Sequence, residues 1–439
     1  MIARIEPGPL AGSIAAISSK SVAHRLIIAA ALANGRTRIA CSTTCADIDA
    51  TVRCLTALGA RIDRTDEGYD VTPVPKSRER GILAACKGAV LDCGESGSTL
   101  RFLLPVAGAL GADATLTGSA RLGERPLDDL TGELLAGGCA LEGLGGFPLS
   151  ISGRLRPGRF ILPGDVSSQY ISGLLLAAPL LDGPVEILVR GRIESRPYVA
   201  LTIEALRAFQ VPVAERRLVG ATAEEPQTLF AVGGEGYRTP GEVAVEGDWS
   251  NAAFWLCAGA LGREPVTVTG LSLNSAQGDR AIMATLMRFG AKVLRSRGAA
   301  TVRPDRLAGF TLSARDIPDL VPVVAAVAAC AAGTTTITDC ARLRIKESDR
   351  LATTTETLRA LGADIAVQGD SLIINGRPSL TGGTVDAHND HRIAMTAAVA
   401  ALRADGPVSI VGAEAVAKSY PAFFDDYRAL GGRVVCEGA

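Results

Sequence analysis

The stretch Phe289-Gly290-Ala291-Lys292-Val293 joins the end of an apolar, helix-like segment to a short run with β-type alternation, and the chain contains six such joins. They recur at intervals of roughly 70–80 residues. Glycine is favoured where a helix ends because a left-handed residue without a Cβ closes the last turn, and the alternation that follows suits a strand. Five of the six joins have Gly at the second position, and one has Gln210. The other joins are Leu58-Gly59-Ala60-Arg61-Ile62, Gly137-Gly138-Cys139-Ala140-Leu141, Phe209-Gln210-Val211-Pro212-Val213, Leu361-Gly362-Ala363-Asp364-Ile365 and Leu430-Gly431-Gly432-Arg433-Val434.

These joins predict an α/β fold built from six repeated helix–strand units. One unit cannot bury the apolar faces of both its elements, so the units should pack into shared cores. A chain of 439 residues is too long for one core, and we expect two domains of three units each. The alternative is that the joins arose independently, since helix–Gly–strand connections occur in many α/β proteins.

One of the two domains is expected to consist of two segments that are far apart in the sequence. If the first strand, which is interrupted between Pro7 and Ser13, belongs with the last three units, the chain crosses between domains twice. We therefore predict one domain from residues 1–18 and 243–439 and another from residues 19–242. The interrupted first strand and the Gly- and Pro-rich stretch from Gly220 to Gly241 are candidate hinges. Such a double crossing predicts an active site in an interdomain cleft.

Composition narrows the class of protein. Hydrophobic residues make up 47% of the chain and aromatic residues only 4%, so the cores must consist of Ala, Val, Leu and Ile. The formal net charge is −1, which gives no overall field to attract nucleic acid or a membrane surface. The ten Cys residues show no C-x-x-C pairs, and no metal site or cofactor motif is evident. The longest apolar run, from Leu320 to Ala332, is too short to span a bilayer, and the first residues do not resemble a signal peptide. We expect a cytoplasmic, monomeric protein with reduced thiols.

Polar and basic residues open several predicted helices in the first half of the chain. Helix N-termini favour anions because their backbone N–H groups are unpaired and the helix dipole is positive there. A capping role explains any single motif, but the recurrence in several units favours ligand binding. The segment from Gly94 to Arg101 lacks the Gly-Lys-Ser/Thr of a Walker loop, so a nucleotide triphosphate is not indicated. The motifs are Ser19-Lys20-Ser21 with Arg25, Gly94-Glu95-Ser96-Gly97, Glu124-Arg125-Pro126, Val166-Ser167-Ser168-Gln169-Tyr170 and Ser195-Arg196-Pro197-Tyr198.

The second half of the chain places charges of both signs at the ends of apolar elements. A charge in such a position usually requires a partner or a ligand. Asp319, Glu347 and His391 are the available acid and base groups. Seven cations across the chain would suit ligands that carry phosphate and carboxylate groups. The cations are Lys20, Arg25, Arg125, Lys346, Arg350, Arg392 and Lys418.

Taken together, these motifs make the sequence resemble the 5-enolpyruvylshikimate-3-phosphate (EPSP) synthase family over essentially its whole length. The most specific matches are Lys346-Glu347-Ser348-Asp349-Arg350 and Asn389-Asp390-His391-Arg392. The resemblance implies two inside-out α/β barrel domains with threefold pseudo-symmetry that close on the substrates. It also implies transfer of the enolpyruvyl (1-carboxyvinyl) group of phosphoenolpyruvate to the 5-hydroxyl of shikimate 3-phosphate, with release of phosphate through a tetrahedral intermediate. This reaction belongs to the shikimate pathway, which leads to chorismate and the aromatic amino acids.

The resemblance also assigns roles to the matched residues. It implies Asp319 as the base at the 5-hydroxyl, and Glu347 and Lys20 as candidates for the proton transfers at the enolpyruvyl methylene. His391, one of the available acid and base groups, is a further predicted catalytic residue. The shikimate 3-phosphate contacts would be Lys20, Ser21, Arg25, Ser167, Ser168, Gln169, Ser195, Tyr198, Asp319 and Lys346. The phosphoenolpyruvate contacts would be Lys20, Gly97, Arg125, Gln169, Arg350, Arg392 and Lys418.

Three positions depart from the family pattern. Ile17-Ser18 replaces the usual Pro-Gly, Glu95 replaces an Asn, and Arg342 replaces an Asn that often contacts shikimate. The retained Gly97 predicts sensitivity to glyphosate. Two alternatives remain. One is the sister enolpyruvyl transferase that acts on UDP-N-acetylglucosamine, which uses a loop cysteine, and Cys93 is the nearest candidate for it here. The other is a non-catalytic protein that binds phosphorylated metabolites.

Overall fold

The computed structural model describes residues 1–75, 78–79, 82–83, 86–218, 226–233 and 236–438. The chain divides into two compact units, which we call unit 1 (Met1–Ser19 with Glu246–Ala439) and unit 2 (Lys20–Val245). The predicted boundary after residue 242 differs from the observed one because Glu242–Ala244 pairs in parallel with Thr37–Ala40 of unit 2. Residues 220–225 and 234–235 of the predicted hinge lie outside the described residues.

Helices and strands are interspersed throughout the described residues. The α-helices are α1 (Lys20–Ala31), α2 (Ala46–Ala57), α3 (Gly97–Leu110), α4 (Ala120–Gly123), α5 (Asp128–Ala136), α6 (Ser168–Ala177), α7 (Arg196–Ala208), α8 (Trp249–Leu261), α9 (Ile282–Phe289), α10 (Val321–Ala328), α11 (Arg350–Ala360), α12 (His391–Ala400) and α13 (Phe423–Ala429). The strands are β1 (Ile2–Glu6), β2 (Gly12–Ala15), β3 (Thr37–Ala40), β4 (Arg61–Thr65), β5 (Gly68–Thr72), β6 (Arg78–Glu79), β7 (Ile82–Leu83), β8 (Lys87–Asp92), β9 (Asp113–Thr117), β10 (Cys139–Glu142), β11 (Leu149–Gly153), β12 (Gly158–Pro163), β13 (Val185–Arg190), β14 (Val213–Arg217), β15 (Gln227–Val232), β16 (Glu242–Ala244), β17 (Val266–Thr269), β18 (Lys292–Ser296), β19 (Ala299–Arg303), β20 (Thr311–Ser313), β21 (Thr334–Thr338), β22 (Asp364–Gln368), β23 (Ser371–Asn375), β24 (Gly383–Asp386), β25 (Val408–Val411) and β26 (Arg433–Glu437).

Within the described residues, six four-stranded sheets share one strand order and one pattern of parallel and antiparallel pairing, which confirms the sixfold repeat predicted from the sequence. In the sheet β20-β21-β23-β22, β20 is parallel to β21 and the other two pairs are antiparallel. A buried helix, here α10, connects the parallel pair, as parallel strands require a crossover. The other sheets repeat this order as β16-β3-β5-β4, β8-β9-β11-β10 and β12-β13-β15-β14 in unit 2, and as β2-β17-β19-β18 and β24-β25-β1-β26 in unit 1.

All six joins have a left-handed residue at their second position. The φ angles are +100° at Gly59, +103° at Gly138, +59° at Gln210, +108° at Gly290, +81° at Gly362 and +93° at Gly431. Gln210 therefore adopts the backbone conformation of the glycine that it replaces. The conformation, rather than the glycine itself, is what the six copies share.

Substitutions at these joins are expected to change stability according to the residue's tolerance of positive φ. Gly431→Ala should lower the free energy of unfolding by about 1–2 kcal/mol, because a Cβ disfavours left-handed backbone. Only Pro9 O, at 3.9 Å, lies near the position of the added Cβ, so steric contact contributes little. Gln210→Gly should raise the free energy of unfolding or leave it unchanged. Urea unfolding followed by circular dichroism measures both effects, and a loss of stability in Gln210→Gly would contradict the explanation.

Each unit has its own hydrophobic core around three buried helices. All eight residues of α10 and all ten of α12 are buried, and α8 is buried along almost its whole length. In unit 2 the corresponding helices are α1, α3 and α6. These helices are apolar on all sides, as helices enclosed in a core must be. Four of the polar motifs found in the sequence, those before or at the start of α1, α3, α6 and α12, therefore lie at the N-terminal ends of enclosed helices.

Candidate active site

In unit 2, the start of α1 carries two cations with different surroundings. Lys20 Nζ lies 2.8 Å from Asp47 Oδ2, and both side chains are mostly buried. Arg25 is 2% exposed and donates to Thr202 Oγ1 at 2.7 Å and to Tyr198 O at 3.0 Å. Burial lowers the pKa of Arg25 to about 10. The α1 and α7 N-terminal regions are thus connected by a buried guanidinium.

The same guanidinium contacts two of the residues predicted for one substrate, Ser21 and Tyr198. Arg25 Nη1 donates to Ser21 O at 2.6 Å. Ser195 precedes α7 in a left-handed conformation with φ of +53° and is 2% exposed. Ser167 caps α6 by accepting from Gln169 N at 3.2 Å, and Ser168 begins the helix. The predicted shikimate 3-phosphate residues of unit 2 therefore lie at the starts of α1, α6 and α7.

The start of α3 lies beneath two guanidinium groups. A Cβ on Gly97 would lie 2.6 Å from Arg125 Nη1 and 2.7 Å from Arg101 Nη1. Arg101 donates to Gln169 Oε1 at 3.3 Å, and Gln169 Nε2 donates to Ser98 Oγ at 3.0 Å. The structure thus brings together Gly97, Arg125 and Gln169, three of the residues predicted for phosphoenolpyruvate. Sequence reasoning missed Arg101, although it lies one helical turn after Gly97.

In unit 1, Arg350 is the centre of a buried charge network. Its guanidinium contacts Asp319 Oδ1, Glu347 Oε2 and Asp390 Oδ2, each at 2.8 Å, and the side chain is 1% exposed. Burial alone would lower the pKa of Arg350, but the three carboxylates, with Asp390 foremost, raise it. A bidentate contact is completed by Arg350 Nη2 and Asp390 Oδ1 at 3.2 Å. The network holds the start of α11 against the start of α12.

Asp319 receives cations on both carboxylate oxygens. Lys346 Nζ lies 3.4 Å from the Oδ1 that also contacts Arg350, and Arg392 Nη2 lies 3.2 Å from Oδ2. Arg392 Nη1 also donates to Asp319 O at 3.2 Å. Burial lowers the pKa of Lys346. Three of the predicted residues of unit 1 therefore surround the Asp319 carboxylate.

The turn before α12 fixes the remaining predicted groups. Asp390 is fully buried and caps the helix by accepting from Arg392 N at 2.9 Å. His391 is 2% exposed, and its Nδ1 lies 3.8 Å from Asp390 Oδ1. Lys418 Nζ donates to Asn389 O at 2.5 Å. Asp390 was not among the predicted site residues, although it lies inside the quoted Asn-Asp-His-Arg motif.

The three departures from the family pattern have definite locations. Arg342 is half-buried in the turn before Lys346, and its positive charge contributes to the lowered pKa of Lys346, after the larger effect of burial. Glu95 is exposed, two residues before Gly97. Ser18 forms an antiparallel bridge with Gly247 of unit 1. The altered turn before α1 is therefore held by backbone pairing.

Asp279 is a second buried carboxyl group in unit 1 that the sequence did not single out. It is 2% exposed, and Ser250 at the start of α8 donates a hydrogen bond to its Oδ2. Burial first, and then the negative charge of Asp319, raise the pKa of Asp279 from 3.8 to about 7. Arg392 opposes this shift. The carboxyl group of Asp279 therefore titrates near neutral pH.

Asp279→Asn is expected to change the pH dependence of stability. The native carboxyl binds its proton more tightly than the unfolded chain does, so the free energy of unfolding should fall as pH rises from about 4 to about 7. An isosteric amide can accept the Ser250 hydrogen bond and does not ionise. The free energy of unfolding of the variant, minus that of the wild type, should therefore increase by on the order of 2–4 kcal/mol from pH 4 to pH 8. Urea unfolding at the two pH values measures this increase. The same difference in stability between variant and wild type at both pH values would contradict a raised pKa for Asp279.

Cys93, the residue considered for a sister-family cysteine, is completely buried. A hydrogen bond with Cys54 and burial raise the pKa of its thiol well above the usual value. Such a thiol is unreactive as a nucleophile. Cys93 is therefore unsuited to the role of a loop cysteine at a reaction centre.

Two kinds of feature are absent from the described part of the chain. Among these residues, no group of three or more His, Cys, Asp or Glu side chains could hold a metal ion. None of the helices in the described ranges is long and apolar enough to cross a membrane.

The chain is similar to known proteins over nearly its whole length. The EPSP synthase (3-phosphoshikimate 1-carboxyvinyltransferase) family model matches residues 5–427. The chain is 39% identical to the 3-phosphoshikimate 1-carboxyvinyltransferase of Clostridium kluyveri, over 98% of this chain and 97% of that protein. It is 37% identical to the protein of that name from Clostridioides difficile, over 98% of each chain. The solved EPSP synthase of Acinetobacter baumannii superposes with a TM-score of 0.77 at 26% identity, over 99% of this chain and 100% of that one. The chain therefore belongs to the EPSP synthase family.

Proposed function

We propose that this chain transfers the enolpyruvyl group of phosphoenolpyruvate to the 5-hydroxyl of shikimate 3-phosphate and releases phosphate. The observation that carries the proposal is the Asp319 carboxylate, which is oriented by Lys346, Arg350 and Arg392 at the end of a buried element. Family membership supports the same reaction.

The chemistry requires protons to be delivered and removed in turn. Protonation of C3 of phosphoenolpyruvate creates cationic character at C2, where the 5-hydroxyl attacks while losing its proton to Asp319. A C3 proton and phosphate then leave the tetrahedral adduct, which restores the double bond. We assign Glu347 and Lys20 to the proton transfers at C3, and His391 as a further acid–base group.

The cations serve to hold two anionic substrates beside each other. Each substrate carries a phosphate and a carboxylate, so the pair repels itself in solution, and pre-positioned cations offset that repulsion. Arg groups suit planar or tetrahedral oxyanions because they donate two parallel hydrogen bonds. We assign Lys20, Ser21, Arg25, Ser167, Ser168, Gln169, Ser195, Tyr198, Asp319 and Lys346 to shikimate 3-phosphate. We assign Lys20, Gly97, Arg125, Gln169, Arg350, Arg392 and Lys418 to phosphoenolpyruvate.

An acceptor comparison tests the proposed function. Purified protein with phosphoenolpyruvate should release inorganic phosphate when shikimate 3-phosphate is added and should not when UDP-N-acetylglucosamine is added. Release only with the nucleotide sugar would assign the chain to the sister reaction. Saturable binding of shikimate 3-phosphate without any release would support the binding-protein alternative instead. We also propose that the protein is cytoplasmic and monomeric and acts without nucleic acid.

Gly97→Ala is expected to weaken phosphoenolpyruvate binding and glyphosate inhibition together. The added Cβ would lie within 3.0 Å of both Arg125 and Arg101, so both guanidinium groups must move. We expect a rise of about tenfold in the KM for phosphoenolpyruvate, equivalent to about 1.4 kcal/mol.

The matched control is Gly132→Ala, because no atom lies within 4 Å of the Cβ that it would add in α5. It should leave both quantities unchanged. Unaltered kinetics in Gly97→Ala, or wild-type inhibition by glyphosate no stronger than by unrelated phosphonates, would contradict this assignment.

A further inference from the structure

A chain of buried hydrogen bonds runs through the interior of unit 2, behind the residues assigned to phosphoenolpyruvate. His24 Nδ1 lies 2.7 Å from Thr51 Oγ1, which lies 2.7 Å from Thr99 Oγ1. Thr99 Oγ1 in turn lies 2.8 Å from Ser96 Oγ. None of the four side chains is more than 1% exposed. These four hydrogen-bonded side chains therefore reach no solvent and cannot touch a substrate.

The hydrogen-bond chain joins three helices that carry residues of the site. His24 lies one turn after Lys20 on α1, and Thr51 lies one turn after Asp47 on α2. The Lys20–Asp47 ion pair and the His24–Thr51 contact are thus successive links between the same two helix faces. Thr51 then extends the connection to Thr99 in the first turn of α3, next to Gly97.

The direction of the hydrogen bonds follows from the number of protons available. Thr99 donates its hydroxyl proton to Ser96 Oγ at 2.8 Å, and Ser96 Oγ also accepts from Thr99 N at 3.2 Å. Thr51 therefore donates to Thr99, and His24 Nδ1–H donates to Thr51. Burial, Lys20 and Arg25, in that order, lower the pKa of His24 well below its usual value. A neutral imidazole with its proton on Nδ1 completes the chain.

Such a chain fixes geometry strongly because each member loses a partner if another moves. An unpaired buried hydroxyl is costly, and linked hydrogen bonds reinforce one another. The N-cap hydroxyl of Ser96 lies at its end and bonds the first turn of α3. The backbone position of Gly97, and hence the space beneath Arg101 and Arg125, depends on that cap.

We propose that His24 and Thr51 are positioning residues that hold the first turn of α3 in register with Lys20, and so set the affinity for phosphoenolpyruvate. The inference rests on the proposed function for the identity of the ligand. Neither residue contacts substrate. Lys20 is assigned to both substrates, but the residues assigned to shikimate 3-phosphate at the starts of α6 and α7 lie outside these hydrogen bonds. The affinity for shikimate 3-phosphate should therefore depend on them less than the affinity for phosphoenolpyruvate does.

The test uses the full-length protein and the variant Thr51→Val, which removes the hydroxyl at nearly constant volume. We expect the KM for phosphoenolpyruvate to rise about three- to tenfold and the KM for shikimate 3-phosphate to stay within about twofold of the wild type. Thr51→Ser, which keeps the hydroxyl, should restore the wild-type value. The matched control is Thr131→Val on α5, whose buried hydroxyl donates only to backbone carbonyls of its own helix. His24→Leu breaks the other end of the chain and carries the same prediction if Thr51→Val does not fold.

Amide hydrogen exchange separates this inference from the proposed function. Exchange of residues 97–101 should accelerate in Thr51→Val but not in Thr131→Val, whatever reaction the protein catalyses. If wild-type protein shows no enolpyruvyl transfer, the proposed function fails while this measurement still decides the positioning role. Unchanged exchange at 97–101, or an equal rise of both KM values, would overturn the inference.

Discussion

Replacing Arg350 with Ala is expected to lower the free energy of unfolding by about 3–5 kcal/mol, because the change leaves three carboxylates in a buried site without their shared cation. Asp390 is completely buried, and Asp319 and Glu347 are mostly buried. Water cannot replace the guanidinium at Asp390, whose ionised state is favoured mainly by Arg350 against the opposing effect of burial. Enzyme activity should be lost as well, since Asp319 loses one of its three orienting contacts.

The matched control for this variant is Arg344→Ala, six residues earlier in the chain. Arg344 is largely exposed, and its contacts with Asp349 and Asp370 are 3.7 Å long. Exposed ion pairs of this kind contribute at most about 1 kcal/mol. Urea unfolding of both variants measures the difference. Equal losses in the two variants would show that the buried network has no special role.

The second large effect is expected for Asp319→Asn, which should lower kcat by about 10²–10⁴-fold. The amide occupies the same volume but cannot accept the proton of the attacking hydroxyl. The three cations around it would also lose their common counter-charge. The variant should remain folded, since the carboxamide oxygen still accepts a hydrogen bond from Arg350 or Arg392. Steady-state kinetics with both substrates measures the change.

Asp316→Asn is the matched control because it removes a carboxylate from the same loop, three residues earlier. It should keep kcat within about twofold of the wild type, equivalent to about 0.4 kcal/mol, because half-buried Asp316 is not among the residues assigned to a substrate. A kcat for Asp319→Asn that is similar to that of the control would remove Asp319 from the catalytic role. The account would then require a different base for the 5-hydroxyl.

The repeated fold was predictable because each unit carries a local signal. The Gly-containing joins mark where helices end, and the structure has a left-handed residue at all six positions, including Gln210. Helix ends and strand alternation are determined by residues that are near each other in sequence. The difference at Glu242–Ala244 arose because its partner strand, Thr37–Ala40, is about 200 residues away, and no local pattern reports such a pairing.

The site residues that sequence reasoning missed act through contacts over long sequence separations. Asp390 was quoted in its motif, but its partner Arg350 lies 40 residues earlier, and only the packing of α11 against α12 reveals the pair. Asp47 pairs with Lys20 across 27 residues, and Arg101 meets Gln169 across 68. The residue types indicated charged helix ends. Which charges face each other was determined by the three-dimensional fold.

The most direct test of the central claim follows phosphorus by nuclear magnetic resonance. A mixture of the protein, phosphoenolpyruvate and shikimate 3-phosphate should form one inorganic phosphate for each shikimate phosphate converted into its enolpyruvyl ether. Asp319→Asn, shown to be folded, should form neither product at a comparable rate. Loss of phosphoenolpyruvate without any dependence on shikimate 3-phosphate, or full conversion by Asp319→Asn, would contradict the account.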